Sequence, residues 1–217
     1  MKEKRNLWTA GVSGFSAILL VVLIRLVDVA PIGPQGTSIG LSHLNRFVFE
    51  LFGVHLIWYT ITDWLGIAAI LTAFVFAVMG LVQLIKRKSL LKVDQEILTL
   101  GGLYLIVIGL YMFFENVIVN YRPIIMPDGT RPEASFPSSH TMIVCVIMGS
   151  AVMLFGKYIR NKTLCRVLRA VCAVIIGVTV IGRLIAGVHW FTDIIGGILI
   201  SITLLSLFRE VSGNDSK

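Results

Sequence analysis

Apolar residues dominate six stretches of this sequence, and short polar segments separate one stretch from the next. The stretches cover residues 7–29, 63–85, 96–119, 139–156, 167–187 and 190–208. Each is close to the ~20 residues that an α-helix needs to cross ~30 Å of hydrocarbon. The pattern therefore predicts an all-α, polytopic membrane protein with six transmembrane helices.

The segment between the first two stretches has a different pattern. It opens with the turn-forming sequence PIGPQG, and polar and apolar residues then separate onto opposite sides of a helix over residues 42–59. His43, Arg46 and Glu50 form the polar side. This is typical of an amphipathic helix that lies in the membrane interface. Because the sequence shows no internal repeat and no low-complexity tract, we expect a single domain over residues 1–217.

Composition supports the membrane interpretation and excludes a soluble domain. The chain is 56% hydrophobic and 14% charged, with a mean hydropathy of +0.88, whereas soluble domains have roughly 25% charged residues. The net charge of +7 does not indicate a nucleic-acid partner, because the basic residues lie in the polar segments between stretches. Cys145, Cys165 and Cys172 have neither metal-ligand nor disulfide spacing, and we interpret them as inert.

The distribution of basic residues predicts the orientation in the membrane. With six spans, fourteen basic residues fall on one side: Lys2, Lys4, Arg5, Lys86, Arg87, Lys88, Lys92, Lys157, Arg160, Lys162, Arg166, Arg169, Arg209 and Lys217. The opposite side holds Arg46, Arg122, Arg131 and Arg183. Cytoplasmic loops carry the excess of Lys and Arg. We therefore expect a cell-membrane protein with both termini in the cytoplasm and its chemistry on the extracytoplasmic face.

The segment GRLIAGVHWFTD carries the strongest chemical signal. His189 and Asp193 are four residues apart, so they share one face of a helix, and Arg183 lies six residues before the histidine. Arg183 alone is typical of an arginine that reaches the interface. Asp193, however, lies where the last apolar stretch begins, and a carboxylate entering hydrocarbon is costly and usually functional.

Two further segments place polar residues on the same side. In FPSSH, Ser138 or Ser139 can cap the fourth helix, and His140 then lies at a helix N-terminus, which favours phosphate binding. Arg122 and Pro123 follow the third stretch, where a proline can simply end the helix.

Together these segments resemble the type 2 phosphatidic acid phosphatase superfamily, whose motifs are K-x6-R-P, P-S-G-H and S-R-x5-H-x3-D. The resemblance covers the catalytic half, about residues 115–193. The third motif differs only in its first residue, Gly182, and the second has Ser139 in place of glycine. In the first motif, Arg122-Pro123 is present, but Glu115 occupies the lysine position.

The resemblance implies a metal-independent phosphoric ester or diphosphate hydrolase that needs no cofactor and acts on a membrane lipid phosphate. It makes His189 the nucleophile that forms a phosphohistidine, Asp193 the residue that orients it, and His140 the donor of a proton to the leaving oxygen. The phosphate would be bound by Arg122, Arg183, Ser138 and Ser139. Candidate substrates are polyprenyl diphosphate, phosphatidic acid, phosphatidylglycerol phosphate and a lipid-linked saccharide phosphate.

Glu115 leaves several interpretations open. It could pair with a cation, with Arg122 or Arg131 as the expected partner, or it could select a head group that carries an amine or a hydroxyl. It could also mark a protein that binds or transports a lipid phosphate without hydrolysis. A phosphotransferase is a further alternative. Arg131 could replace the missing positive charge, or it could be a solvated loop residue. Asp63 is expected to cap the second transmembrane helix.

Overall fold

The structure, a computed structural model, describes residues 2–127 and 129–213, with side chains from Lys4 onward. Lys217, predicted to be cytoplasmic, lies outside the described residues. The helices are α1 (Lys2–Leu26), α2 (Ser42–Phe52), α3 (Leu56–Arg87), α4 (Gln95–Asn116), α5 (Ser139–Tyr158), α6 (Lys162–Ala186) and α7 (Phe191–Val211). Two short 3-10 turns, Pro34–Gly36 and Leu90–Lys92, lie in the connections.

Six of these helices, all except α2, are long and apolar enough to cross a membrane. The predicted all-α polytopic fold is therefore confirmed. Many of their large apolar side chains are exposed, among them Trp8, Phe15 and Phe74. In a protein surrounded by lipid such residues contact hydrocarbon, so their exposure has no hydrophobic cost.

The predicted amphipathic helix is shorter than residues 42–59. α2 ends at Phe52, where Gly53 has a φ of 70° that interrupts the helix, and α3 already begins at Leu56. The apolar residues before Asp63 thus belong to the spanning helix, and the predicted start at residue 63 is wrong. Asp63 lies inside α3 and does not cap it.

α5 is the central helix of the bundle. Of its apolar window, 56% is buried within the protein, against 17% in α1, α3 and α6. It packs against α3, α4, α6 and α7, and α1 packs against the outer side of α7. A helix that is covered on all sides can hold its first turn in a fixed position. This matters because His140 lies in the first turn of α5.

The segments that carry the chemistry lie at one end of the bundle. Successive spanning helices are antiparallel, so the connections 27–55, 117–138 and 187–190 meet at the same end. Hydrogen bonds join them there: Arg25 donates to the carbonyl of Ile118, and Asn45 Nδ2 donates to Thr192 Oγ1 at 3.1 Å. The site is therefore assembled from three loops and the helix ends that flank them.

Candidate active site

A tight turn between α6 and α7 positions His189. Gly187 ends α6 with a φ of 67°, and a Cβ at this position would lie 2.3 Å from the carbonyl oxygen of Gly53. Glycine is thus required by both the left-handed backbone and the close approach of the neighbouring loop. Asp193, in the first turn of α7, caps this helix by accepting a hydrogen bond from the backbone N–H of Trp190 at 2.9 Å. His189 is fixed between two anchored helix ends.

The side chain of His189 is held through one ring nitrogen. Nδ1 lies 3.1 Å from the Ser135 carbonyl oxygen and 3.1 Å from Ser135 Oγ. Because a carbonyl can only accept, we assign the ring proton to Nδ1. Nε2 then carries the free lone pair, and it is buried without a hydrogen-bond partner among the described residues.

Asp193 supports His189 through Ser135. The carboxylate lies 4.0 Å from Nδ1, whereas Ser135 Oγ donates to Asp193 Oδ2 at 2.5 Å. Asn120 Nδ2 donates to Oδ1 at 3.3 Å, so the fully buried carboxylate is satisfied. His189 and Asp193 lie close together, as their spacing predicted, whereas Ser135 belongs to none of the three motifs and was not predicted.

The surroundings of His189 keep its ring neutral. Burial lowers the pKa of His189 well below its ordinary value of 6.5, and the nearby cations Arg122 and Arg183 lower it further. A neutral imidazole with a free Nε2 is the form that can attack an electrophile.

The two arginines approach the site from different elements. Arg183, in the last turn of α6, is fully buried, is bonded to Asp63 and lies 4.7 Å from the centre of the Tyr59 ring. Arg122 Nε lies 3.1 Å from Glu133 Oε2, and Nη1 donates to the Val188 carbonyl at 3.3 Å. Both therefore have carboxylate partners that the motifs do not contain.

His140 lies in the first turn of α5 and faces α3. Its Nε2 lies 3.0 Å from Asp63 Oδ1, and its side chain is 33% exposed. It borders a cavity of about 390 Å³ whose lining is mostly apolar: Tyr59, Asp63, Gly66, Ile67, Ile70, Tyr111, Ser139, His140, Ile143 and Val144. Asp63 was missed, although a carboxylate in an apolar helix is as costly there as at Asp193.

A second, small cavity is bordered by His189. Its lining is Tyr111, Phe114, Glu115, Arg122, Ala134, Ser135, Phe136, Pro137, Ser139, Met142 and His189. Tyr111 and Ser139 border both cavities. The two cavities therefore adjoin, with His189 lining the small cavity and His140 lining the larger one.

The predicted phosphate ligands do not all reach these cavities. Ser138 is fully buried and caps α5, its Oγ accepting from the backbone N–H of Thr141 at 3.5 Å and from Thr141 Oγ1 at 3.0 Å. The capping prediction is confirmed, but the Ser138 hydroxyl lines neither cavity. Ser139 is the serine that does. Arg183, which is fully buried, and Arg131, which is exposed, also line neither cavity.

Glu115 differs from the prediction. It lies in the last turn of α4, is exposed, and borders the small cavity with Arg122 and His189. Within residues 2–127 and 129–213 it forms no ion pair, because Arg122 pairs with Glu133 instead. The expected pairing of Glu115 with Arg122 or Arg131 is therefore wrong, and a free carboxylate faces the site.

A family model described as the PAP2 superfamily matches residues 67–216, more than half of the chain. The chain belongs to the PAP2 superfamily. The resemblance inferred from the three motifs is thus confirmed, and the matched region contains both histidines and Asp193.

Relatives agree with this assignment. Phosphatidylglycerophosphatase B of Bacillus subtilis (strain 168) is 30% identical over 125 residues, which are 54% of this chain and 59% of that protein. The alignment thus spans less than two thirds of that relative. The crystal structure of a transmembrane PAP2 type phosphatidylglycerolphosphate phosphatase from Bacillus subtilis has a TM-score of 0.68 at 16% identity, covering 97% of this chain and 98% of that one. At this identity the likeness shows a shared PAP2 fold.

Proposed function

We propose that this PAP2 protein is a membrane lipid phosphatase that hydrolyses a phosphate monoester or diphosphate through a phosphohistidine. The observation that carries the proposal is His189. Its Nδ1 is held by Ser135, its Nε2 is desolvated and unpartnered among the described residues, and the residue lines a cavity together with Arg122. A structural histidine would be expected to satisfy both nitrogens.

The reaction proceeds in two displacements at phosphorus. His189 Nε2 forms a bond to phosphorus while the bond to the leaving oxygen breaks, and His140 transfers its proton to that oxygen. The neutral His140 then takes a proton from water, whose oxygen attacks phosphorus and releases Nε2 together with phosphate. Arg122 and Arg183 balance the charge of the transferring group, which is the main contribution that proteins make to phosphoryl transfer.

The larger cavity supports a lipidic substrate. Its walls are mostly apolar, and Asp63 and His140 are among the residues that line it. An acyl or prenyl chain can pack against such walls while the phosphate lies near the histidines. The Bacillus subtilis relative is named a phosphatidylglycerophosphatase, so phosphatidylglycerol phosphate is the first substrate to test.

Phosphate release from detergent micelles tests the proposal. The panel contains phosphatidylglycerol phosphate, phosphatidic acid, a polyprenyl diphosphate and a lipid-linked saccharide phosphate, with His189→Ala as the control. We expect release from at least one lipid with no added acceptor, and none with His189→Ala. Turnover only with a lipid acceptor would favour a phosphotransferase. Binding without turnover would favour the lipid-binding alternative, which the free carboxylate of Glu115 supports.

We also propose that the site lies on the extracytoplasmic face and that both termini are cytoplasmic, because basic residues are concentrated at the other end of the bundle. In a background with all three cysteines replaced by alanine, Thr130→Cys and Leu91→Cys provide one exposed probe at each end. An impermeant thiol reagent applied to intact cells should label residue 130 and leave residue 91 unlabelled until lysis. Labelling of residue 91 alone would reverse the orientation.

The proposed reaction needs no metal ion, since arginines and backbone N–H groups supply the positive charge that the phosphoryl group requires. Phosphate release should therefore be unchanged by EDTA, and vanadate, a phosphate mimic, should inhibit it. Loss of activity on chelation that a divalent cation restores would contradict this part of the proposal.

A further inference from the structure

We infer that Asp63, outside the three family motifs, is a positioning residue that holds His140 in its protonated form for delivery of a proton to the leaving oxygen. The inference rests on the proposed function. It starts from one atom, Asp63 Oδ1, which contacts both His140 Nε2 at 3.0 Å and the guanidinium of Arg183. No other carboxylate among the described residues forms an ion pair with two residues of the proposed machinery.

The charges around His140 explain why it needs a carboxylate. Arg183 and Arg122 are the cations that bind phosphate in the proposed reaction, and both oppose a positive charge on a nearby imidazole. A proton donor must nevertheless carry its proton when substrate arrives. A carboxylate 3.0 Å from Nε2 favours the imidazolium, and it also balances the charge of Arg183, which is fully buried.

The local packing fits a ring held against α3. Gly66 follows Asp63 by one helical turn, and a Cβ at Gly66 would lie 3.3 Å from His140 Cδ2. The absence of a side chain there leaves room for the imidazole to lie beside Asp63. His140 Nδ1 makes no hydrogen bond within the described part of the chain, so the second ring nitrogen is free, and His140 itself borders the larger cavity.

The proton balance is simple. In the first displacement the bond from phosphorus to the leaving oxygen breaks, and that oxygen takes the proton of the His140 imidazolium. Asp63 remains a carboxylate paired with Arg183, and it faces a neutral His140 for the lifetime of the phosphohistidine. The second displacement restores the imidazolium when His140 removes a proton from water. Asp63 therefore acts through His140 and does not touch the substrate in this scheme.

Leaving-group dependence tests the inference. Two micelle-soluble phosphate monoesters with the same hydrocarbon tail are compared by kcat/KM, one releasing an alkyl alcohol and the other a nitrophenol. An alkoxide needs a proton to leave, whereas a nitrophenolate does not. Asp63→Asn should lower kcat/KM by about 100-fold for the alkyl ester and by less than about 5-fold for the aryl ester. A purely structural defect would lower both equally and would overturn the inference.

Asp28→Asn is the matched control. Asp28 also lies beside a histidine at the same end of the protein, with 2.7 Å between its Oδ1 and His43 Nδ1, but it borders neither cavity. Asp28→Asn should leave kcat/KM unchanged for both esters. In a His140→Ala background, Asp63→Asn should lower kcat/KM for the alkyl ester by less than about 5-fold, since only its contact with Arg183 remains to be lost. A further loss of about 100-fold in kcat/KM for the alkyl ester in this background would overturn the inference.

Asp63→Asn leaves the buried guanidinium of Arg183 without its carboxylate partner, which destabilises the protein. A second variant is therefore included. Asp63→Glu keeps a carboxylate for Arg183 but shifts it by one methylene relative to His140. If Asp63→Asn does not accumulate, Asp63→Glu should still lower the alkyl-to-aryl ratio of kcat/KM, and an unchanged ratio would overturn the inference. If the wild-type protein releases phosphate from neither ester nor from any lipid, it is the proposed function that fails.

Discussion

The two histidines of the site lie in opposite surroundings. His189 is 3% exposed, in a loop between two anchored helix ends, whereas the side chain of His140 is 33% exposed and belongs to the first turn of a helix on the wall of a cavity. The difference matches the chemistry proposed for each. A histidine that acts as a nucleophile must be neutral, fixed in position and shielded from water. A histidine that donates a proton must be protonated and must reach the leaving group.

Their carboxylates differ in the same sense. Asp193 is fully buried and reaches His189 mainly through Ser135, while Asp63 contacts His140 directly at 3.0 Å, with its side chain 36% exposed. A relayed contact orients the ring without placing a full negative charge against it. A direct contact stabilises the charged ring. The two halves of the site are therefore built for different protonation states.

The largest expected effects on phosphate release come from replacing the two histidines. His189→Ala should reduce phosphate release to background for both the alkyl and the aryl ester, because no phosphohistidine can form. His140→Ala should cost about 10²–10⁴-fold for the alkyl ester and much less for the aryl ester. The measurement is kcat/KM in micelles. Equal losses in the two variants for both esters would mean that the histidines do not have separate roles.

Much of this arrangement could be predicted from the sequence. Hydropathy located all six spans, because hydrocarbon requires long apolar helices. The spacing of His189 and Asp193 predicted that they lie close together, although His189 lies in the turn before α7 and not on the predicted helix. The cap at Ser138 followed from local residue preferences. These features depend on contacts within a few residues or on the membrane itself, so a single sequence contains them.

What was missed depends on contacts between distant segments. Ser135 meets His189 from another loop, and Asp63 meets His140 from another helix, so no spacing rule connects them. Arg122 forms an ion pair with Glu133 and not with its predicted partner Glu115. The cause is a backbone pairing of residues 121 and 134, which brings the two side chains together. Asp28 likewise binds Ser42 and His43, fourteen and fifteen residues further along the chain. Its pKa is lowered chiefly by the backbone N–H of His43.

The protonation state of His189 gives a smaller, sharper test. Attack requires the neutral ring, so kcat/KM is lost as the pH falls through the pKa of His189. Because burial and then Arg122 and Arg183 lower that pKa from 6.5, the acid limb due to His189 should lie below pH 6.5. Arg122→Gln removes a cation, which raises the pKa of His189 and should move this limb toward neutral pH.

Two controls make the pH test decisive. The phosphate of the substrate itself titrates near pH ~6, but that limb is the same for every variant, so only the shift is diagnostic. Arg46→Gln removes an exposed cation at the same end of the protein, which is not among the groups that lower the pKa of His189. It should leave the limb in place. An unmoved limb in Arg122→Gln would show that His189 does not control it.

The smallest expected effect concerns Glu115, the free carboxylate beside Arg122 and His189. A phosphate dianion near it is repelled, but the side chain is exposed, so solvent and salt screen the repulsion. Glu115→Gln should therefore lower KM for a plain lipid phosphate by only about 2- to 5-fold, which corresponds to at most about 1 kcal/mol. Glu115→Lys should act in the same direction and more strongly.

The sign of the effect on KM distinguishes the remaining roles of Glu115. The decrease should shrink at high salt if it comes from charge, and Glu50→Gln, at an exposed position on α2, should not reproduce it. If Glu115 instead accepts a hydrogen bond from a hydroxyl or amine of the head group, Glu115→Gln should raise KM for substrates that carry such a group while still lowering it for phosphatidic acid. A raised KM for phosphatidic acid would contradict both roles, because that substrate brings only phosphate to the carboxylate.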